Sequence, residues 1–358
     1  MTQYRGLTYV RHGTFSGSAV SLRRALADRI DICDIDLLPL GRKPALVLSR
    51  IRSLMEAARE GPEVPWTKTK SWSATLQREL EHKGSLDSEK PLLAIQTLAA
   101  LDIPDVRYAI YTDRVALEGS QVGGRFASKF SREWLGREIR FLRGAKHVFV
   151  MGPSTRAVLV DDYGLDPSRV VVVGAGPNCY LGSQRISDRC RRLLFVGTQW
   201  ELKGGPDLLA AFGRINKHHP ELKLLLVGSQ PSHALPEGVT ALGRVPHDKM
   251  DSIYSRADAV VIPAHMEAFG ISLVEALIKG LPCIGTTIGN QPWIIRDAGR
   301  CVESGNVTAI ENAIIELLGD YASFASRART RGSMLSRTMT WERVAGRILD
   351  DSASWMNS

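Results

Sequence analysis

The chain has 358 residues, of which 44% are hydrophobic and 23% charged, with a formal net charge of +8. That length accommodates two domains of ordinary size, and the composition excludes a disordered or fibrous chain. The mildly basic balance suits anionic partners (nucleoside diphosphates, nucleic acid or acidic lipid headgroups), and no apolar run approaches the ~20 residues that a membrane-spanning helix needs.

The N-terminal MTQYRGLTYVRHG lacks the long apolar core of a secretory signal. The five cysteines, Cys33, Cys179, Cys190, Cys283 and Cys301, are scattered and odd in number, with no Cys-x-x-Cys pair. Neither a zinc site nor a disulfide framework is expected, so a reduced, cytoplasmic protein is.

GLTYV, from Gly6, predicts a first strand. A Gly/Ser loop follows and runs into a helical pattern with Val20, Leu22 and Leu26 apolar. Gly13, Ser16, Gly17 and Ser18 therefore fall at a strand-to-helix turn. Such a turn is either an ordinary one with a serine N-cap or a place where backbone amides approach a ligand. DICDIDLLPL reads as a short strand ending at Pro39, Lys43 to Glu60 as a helix, and Thr69 to His82 as another with Trp72, Leu76 and Leu80 on one side. LLAIQTLAA and VRYAIYTD are strand candidates. This alternation predicts a doubly wound sheet.

RFASKFSREWLGREIRFLRGAK is helical and strongly basic, with Arg132, Arg137, Arg140, Arg143 and Lys146. It reads either as a solvated face or as a contact for anionic lipid or a lipid-linked acceptor. No nucleic-acid-binding module accompanies it, so nucleic acid is not expected as a partner. After the strand HVFV, Ser154 is an N-cap candidate for a helix that buries Val158 and Leu159, and Arg156 lies in its first turn. Gly174, Gly176 and Pro177 mark a linker, with the domain boundary between Pro177 and Cys190.

LLFVG opens the second half as a buried strand, followed by TQWELKGG, where Trp200 either covers a site or packs in its loop. ELKLLLVGS is a further strand ending at Gly228 and Ser229. Then comes PAHMEAFGISLVEALIKGLPCIGT, from Pro263 to Thr286, around which the chain is organised. It follows the apolar run ADAVVIP. Ile271, Leu273, Val274, Leu277 and Ile278 have helical spacing, and Gly280 and Pro282 stop the helix. The pattern is strand–loop–helix–strand. Glu267 falls in the loop leaving the strand, where open α/β sheets bind ligands. Glu275, eight residues later, falls about one turn into the helix. Between them the helix start offers unpaired N–H groups and partial positive charge, a seat for a diphosphate. A carboxylate accepts two hydrogen bonds side by side, which suits a sugar diol. One carboxylate at each end of a phosphate seat points to a nucleoside diphosphate sugar; the alternative is two solvated glutamates.

This string resembles the Glu-x7-Glu signature of retaining glycosyltransferases of family 4. The resemblance extends in order through RRLLFVGTQWELKGGPDLLAAF, ELKLLLVGS and VTALGRVPHDKMDSIYSRADAVVIP, covers about Arg191 to Gly305, and is weak before Val148. It implies a GT-B fold, two Rossmann-like α/β domains facing across a cleft. Residues 1–180 would bind the acceptor, residues 181–340 the nucleotide sugar, and residues 341–358 would form a helix crossing back to the first domain.

The resemblance also implies roles. Glu267 and Lys203 would be catalytic, with Glu267 on hydroxyls of the transferred sugar and Lys203 on the diphosphate. Gly197, Thr198, Gly228, Ser229, Arg244, Val245, Phe269, Gly270, Ile271, Ser272 and Glu275 would bind the donor, Glu275 through the ribose. Ser16, Gly17, Asp113, Ser154 and Arg156 would face the acceptor. Thr112 stands where the family often has a histidine, Thr198 where it usually has an arginine, and Gly289-Asn290-Gln291-Pro292 where it has a Gly-Gly followed by an acidic residue. No metal and no cofactor are implied, and the sequence has no Asp-x-Asp motif next to the donor site. The expected partners are a nucleotide diphosphate sugar and a glycan, lipid-linked or small-molecule acceptor, with peripheral contact to the inner face of a membrane. A nucleotide-sugar epimerase and a non-catalytic nucleotide-sugar-binding protein are the alternatives.

Overall fold

A computed structural model describes residues 6–11, 17–37, 44–60, 70–83, 90–97, 101, 103, 106–121, 132–228, 231 and 234–351. The chain forms two compact units: residues 1–175 with 341–358, and residues 176–340.

The first unit alternates strand and helix: β1 (Leu7–Arg11), α1 (Ser18–Ala27), β2 (Ile32–Asp36), α2 (Pro44–Glu60), α3 (Lys70–Lys83), β3 (Leu92–Ile95), β4 (Tyr108–Thr112), α4 (Ala116–Gln121), α5 (Arg132–Gly144), β5 (His147–Val150), α6 (Pro153–Asp161) and β6 (Val170–Val172). The strands pair in parallel in the order β2-β1-β3-β4-β5-β6. β3 and β4 are buried along their whole length, as expected of parallel strands covered on both faces. Trp72, Leu76 and Leu80 are buried together, so the helical period of that segment does mark its core face.

The second unit runs β7 (Arg192–Val196), α7 (Gly205–Ile215), β8 (Lys223–Val227), β9 (Val239–Ala241), α8 (Met250–Tyr254), β10 (Ala259–Val261), α9 (Ile271–Ile278), β11 (Cys283–Thr286), α10 (Gln291–Ile295), β12 (Gly299–Val302), α11 (Val307–Gly319) and α12 (Tyr321–Thr338). Its parallel order is β12-β11-β10-β7-β8-β9. The chain thus starts in the middle of the sheet and reverses direction between β7 and β10, which is where an open α/β sheet leaves a crevice. The last helix, α13 (Trp341–Asp350), belongs to the first unit and packs on α1. Its Trp341 meets Tyr111 edge-on at 6.5 Å, and Arg347 donates to the Val173 carbonyl at 3.0 Å.

Two caps differ from expectation. The N-cap of α6 is Gly152 in extended backbone, with Pro153 at the first helical position, so Ser154 lies inside the helix. Gly17, with φ 92°, caps α1 in place of a serine. The sequence also gave no sign of α10, whose five residues begin at Gln291.

Candidate functional site

The loops that leave β7 and β10 meet at the reversal point of the second sheet. Met266 and His265 both donate their backbone N–H to the Leu202 carbonyl, at 3.2 and 2.9 Å. This joins the loop of Lys203 to the loop of Glu267. Lys203 Nζ then reaches Glu267 Oε1 at 2.9 Å, and the glutamate side chain is only 8% exposed. The glycines around the pair permit close backbone approach. A Cβ on Gly204 (φ 73°) would lie 1.9 Å from the Pro263 carbonyl oxygen, and one on Gly228 (φ 95°) 2.6 Å from that of Gly197. Gly228 N–H donates to the Gly243 carbonyl at 2.7 Å, which brings the loop carrying Arg244 and Val245 to the same edge.

Three residues after Glu267, Gly270 (φ 106°) turns the chain into α9, and no side chain caps that helix among the described residues. The first N–H groups of the helix, Ile271 and Ser272 included, therefore open beside a cation and a carboxylate. Asn290 donates to the Ala268 carbonyl at 3.2 Å, and Thr286 Oγ1 to that of Ala264 at 2.9 Å. The loop is braced from both ends.

Glu275, which the resemblance assigns to the ribose, lies on α9. It is 5% exposed. Its Oε1 accepts the Asn178 N–H at 2.8 Å and its Oε2 the Tyr254 hydroxyl at 2.8 Å. Burial pushes its carboxyl up, and these donors pull it back. Glu275 thus anchors the connecting segment to the second unit. Further ties follow along that segment. Asp251 accepts Gly182 N–H at 2.9 Å and Lys279 Nζ at 2.6 Å, and buried Asp258 accepts Arg185 together with the N–H groups of Arg191 and Arg192.

Phe269, which the resemblance assigns to the donor, is 2% exposed and packs on Trp293 at 6.2 Å between ring centroids. Trp200 packs on Phe195 and on Gly205. Thr198 and Arg244 are exposed. Ser229 and Ser16 lie outside the described residues.

In the first unit, Asp113 follows β4 and accepts Gln96 Nε2 at 2.8 Å. Gln96 follows β3 and holds a left-handed φ of 72°, uncommon for a residue with a side chain. Thr112 is fully buried and donates to the Arg114 carbonyl at 2.8 Å. Glu118, on α4, accepts Val115 N–H at 2.8 Å and lies 3.0 Å from Thr155 Oγ1; burial raises its carboxyl to about 7. Arg156 does not sit at the carboxyl edge of the sheet. Its guanidinium donates to the carbonyls of Pro167 and Val170, before and at the start of β6.

Sequence reasoning missed three partners in the second unit. His265 Nε2 lies 2.8 Å from Asp207 Oδ2, and its Nδ1 2.9 Å from Ser304 Oγ. Asn290 is the third. The position of His265, two residues before Glu267, was the one available signal.

Two parallel six-stranded α/β units, the second with a braced ion pair at its reversal point, define a protein of the GT-B scaffold. Residues 182–332 match the model of the glycosyl transferases group 1 family. The chain is 24% identical over 245 residues to glycogen synthase of Mycobacterium tuberculosis, covering 64% of this chain and 59% of that protein. It is 32% identical over 169 residues to D-inositol 3-phosphate glycosyltransferase of Corynebacterium kroppenstedtii, covering 39% of this chain and 38% of that protein. The chain thus matches well under two thirds of the length of these relatives. Among solved structures, sucrose-phosphate synthase of Thermosynechococcus elongatus superposes with a TM-score of 0.71 at 18% identity, over 97% of this chain and 98% of that one. That likeness carries the fold.

Proposed function

We propose that the protein transfers a sugar, with retention of anomeric configuration, from a nucleoside diphosphate sugar to a hydroxyl of an acceptor. The observation that carries this reading is the Lys203–Glu267 pair, 2.9 Å apart beside the uncapped start of α9. A cation and a helix N-terminus together seat a diphosphate and stabilise the charge it gains on leaving. A carboxylate one loop away takes hydroxyls of the sugar being transferred. On this reading Lys203 and α9 do at the diphosphate what a divalent cation does elsewhere, so transfer needs no metal.

Glu275, held by Asn178 and Tyr254, is not available as the second carboxylate of a glycosidase-like pair, which would stand about 5 Å from the first. Retention then proceeds on one face: the acceptor hydroxyl attacks from the side on which the diphosphate leaves, and the departing phosphate takes its proton. Relatives named for D-inositol 3-phosphate and for N-acetylglucosaminyl L-malate support an acceptor that bears a hydroxyl. The acceptor falls to the first unit, where Asp113 and Gln96 stand at the carboxyl ends of adjacent strands. Arg140 and Lys146, exposed on and just after α5, offer a basic surface for an anionic membrane or a lipid-linked acceptor. No helix among the described residues is long and apolar enough to cross a membrane.

The test is thermal stabilisation by UDP, GDP, ADP and dTDP, with and without EDTA, followed by turnover of the matching nucleotide sugars. A nucleotide at a hundred times its dissociation constant should stabilise by about 2.7 kcal/mol. One nucleotide that stabilises in EDTA, and whose sugar is turned over by the wild type but not by Glu267→Gln, is the expected result. No shift with any of them overturns the reading.

A further inference from the structure

His265 has no part in the chemistry just described, yet its imidazole reaches two elements beyond the loop that carries Glu267. Its imidazole spans two elements distant in sequence. On one side Nε2 faces the carboxylate of Asp207, in the first turn of α7, at 2.8 Å. On the other, Nδ1 faces the hydroxyl of Ser304, beyond β12, at 2.9 Å. Nε2 thus stands within ion-pair distance of the carboxylate and Nδ1 within hydrogen-bond distance of the hydroxyl. The side chain is 14% exposed, so these contacts lie largely out of water. The backbone N–H of the same residue donates to Leu202. One residue therefore ties the Glu267 loop to the Lys203 loop, to the helix that follows Lys203, and to the far edge strand.

On the function proposed above, the Lys203–Glu267 ion pair gives way when a diphosphate binds. An incoming diphosphate draws Lys203 away from Glu267, because it carries more negative charge than one carboxylate. Glu267 then loses its partner at the moment its position matters, and only its loop keeps it in place. We propose that His265 is the positioning residue for transfer: through Asp207 and Ser304 it holds the Glu267 loop against the sugar once Lys203 has turned to the diphosphate. Asp207 is the second member of this device. The inference rests on the function proposed above.

The experiment compares wild type with His265→Phe, His265→Gln and Asp207→Ala. UDP and GDP binding is measured by calorimetry, with the stoichiometry giving the folded fraction. Nucleotide release from UDP-glucose, UDP-N-acetylglucosamine and GDP-mannose is measured with water as acceptor. Glutamine can place its amide nitrogen near the position of Nε2 and restore the Asp207 bond, whereas phenylalanine fills the volume and restores neither. The expected result is that His265→Phe keeps nucleotide affinity within about threefold but lowers turnover per folded molecule by about 10–100-fold, the cost of a small misplacement of a reacting group. His265→Gln should recover much of that loss. Asp207→Ala should give a similar loss, and the double variant His265→Phe/Asp207→Ala little more than either alone. Turnover in His265→Phe within twofold of wild type overturns the inference and leaves the proposed function standing. So does a fall in nucleotide binding that matches the fall in turnover, since that marks a purely structural role. A wild type that binds no nucleotide and turns over no nucleotide sugar overturns both.

Discussion

Lys203 and Glu267 lie 2.9 Å apart across two loops, and each neutralises the other. The pair is mostly buried, so its charges are poorly screened. A ligand that needs Lys203 must compete with Glu267 for it.

That competition gives the two substitutions opposite signs. Lys203→Met should weaken binding of the preferred nucleoside diphosphate by about 10–100-fold, the worth of a charge-assisted hydrogen bond. Glu267→Gln frees Lys203 and should bind the same nucleotide as tightly as wild type or more tightly, while turnover of the nucleotide sugar falls by about 100-fold or more. Calorimetry and product release measure the two quantities separately. Equal weakening of nucleotide binding by both substitutions would show that the pair is not in competition with the ligand.

Glu275→Ala removes the acceptor of both the Asn178 N–H and the Tyr254 hydroxyl. The Tyr254 hydroxyl keeps only its longer contact to the Ser272 carbonyl at 3.3 Å, and losing both bonds to the carboxylate costs about 1–3 kcal/mol. Differential scanning calorimetry should show the transition of the second unit several degrees lower, with the first unit little changed. An unchanged melting profile would mean that water replaces the carboxylate at no cost.

Glu118 makes stability depend on pH. Burial raises its carboxyl from the ordinary 4.5 to about 7. Across that window the folded chain keeps a proton that the unfolded chain releases. Its contribution to stability is therefore fully present at low pH and falls as pH rises toward and through about 7. The Val115 N–H and the Thr155 hydroxyl, which donate to the carboxylate at 2.8 and 3.0 Å, oppose that upward shift without cancelling it. Thermal melts from pH 5 to 8 should show wild type losing stability relative to Glu118→Gln as pH rises. A constant difference across the range would contradict the placement of the proton.

Gly204→Ala should be far worse than Gly213→Ala. The first puts a Cβ 1.9 Å from the Pro263 carbonyl oxygen at a φ of 73°, while the second opens into free space on a helix. Gly204→Ala is expected to lower both the melting temperature and nucleotide affinity, because it separates the loops that set Lys203 against Glu267. Gly213→Ala should stabilise by up to about 1 kcal/mol.

Much of this was legible in the sequence where the signal is local. Trp72, Leu76 and Leu80 recur with helical period, and that period is the core face of α3. Glu267 and the start of α9 were placed by a strand run, a glycine and a helical repeat within one stretch. What was not legible depends on strand order rather than spacing. The partners of Glu275 are Asn178 and Tyr254, and those of His265 are Asp207 and Ser304; the folded sheet alone sets these pairings. Gln96 carries no mark of its left-handed backbone. Ser154 was mistaken for a cap because serine commonly caps helices, but Pro153 cannot donate an N–H and fits the first helical position, which puts the cap at Gly152. Arg156 was placed by its nearness to a helix start, yet its long side chain reaches the other end of the strand layer.

The packing of α13 on α1 has a consequence for how the polypeptide is made. The second unit is continuous in sequence, from 176 to 340, whereas the first is split around it. A ribosome delivers everything the second unit needs before it delivers the last piece of the first. The first unit therefore cannot finish assembling until the second has been synthesised, with α1 left bare until residues 341–350 have emerged. A stop codon just after Thr340 would leave its damage far back in the sequence, on the surface that Val344, Ala345 and Ile348 would have covered.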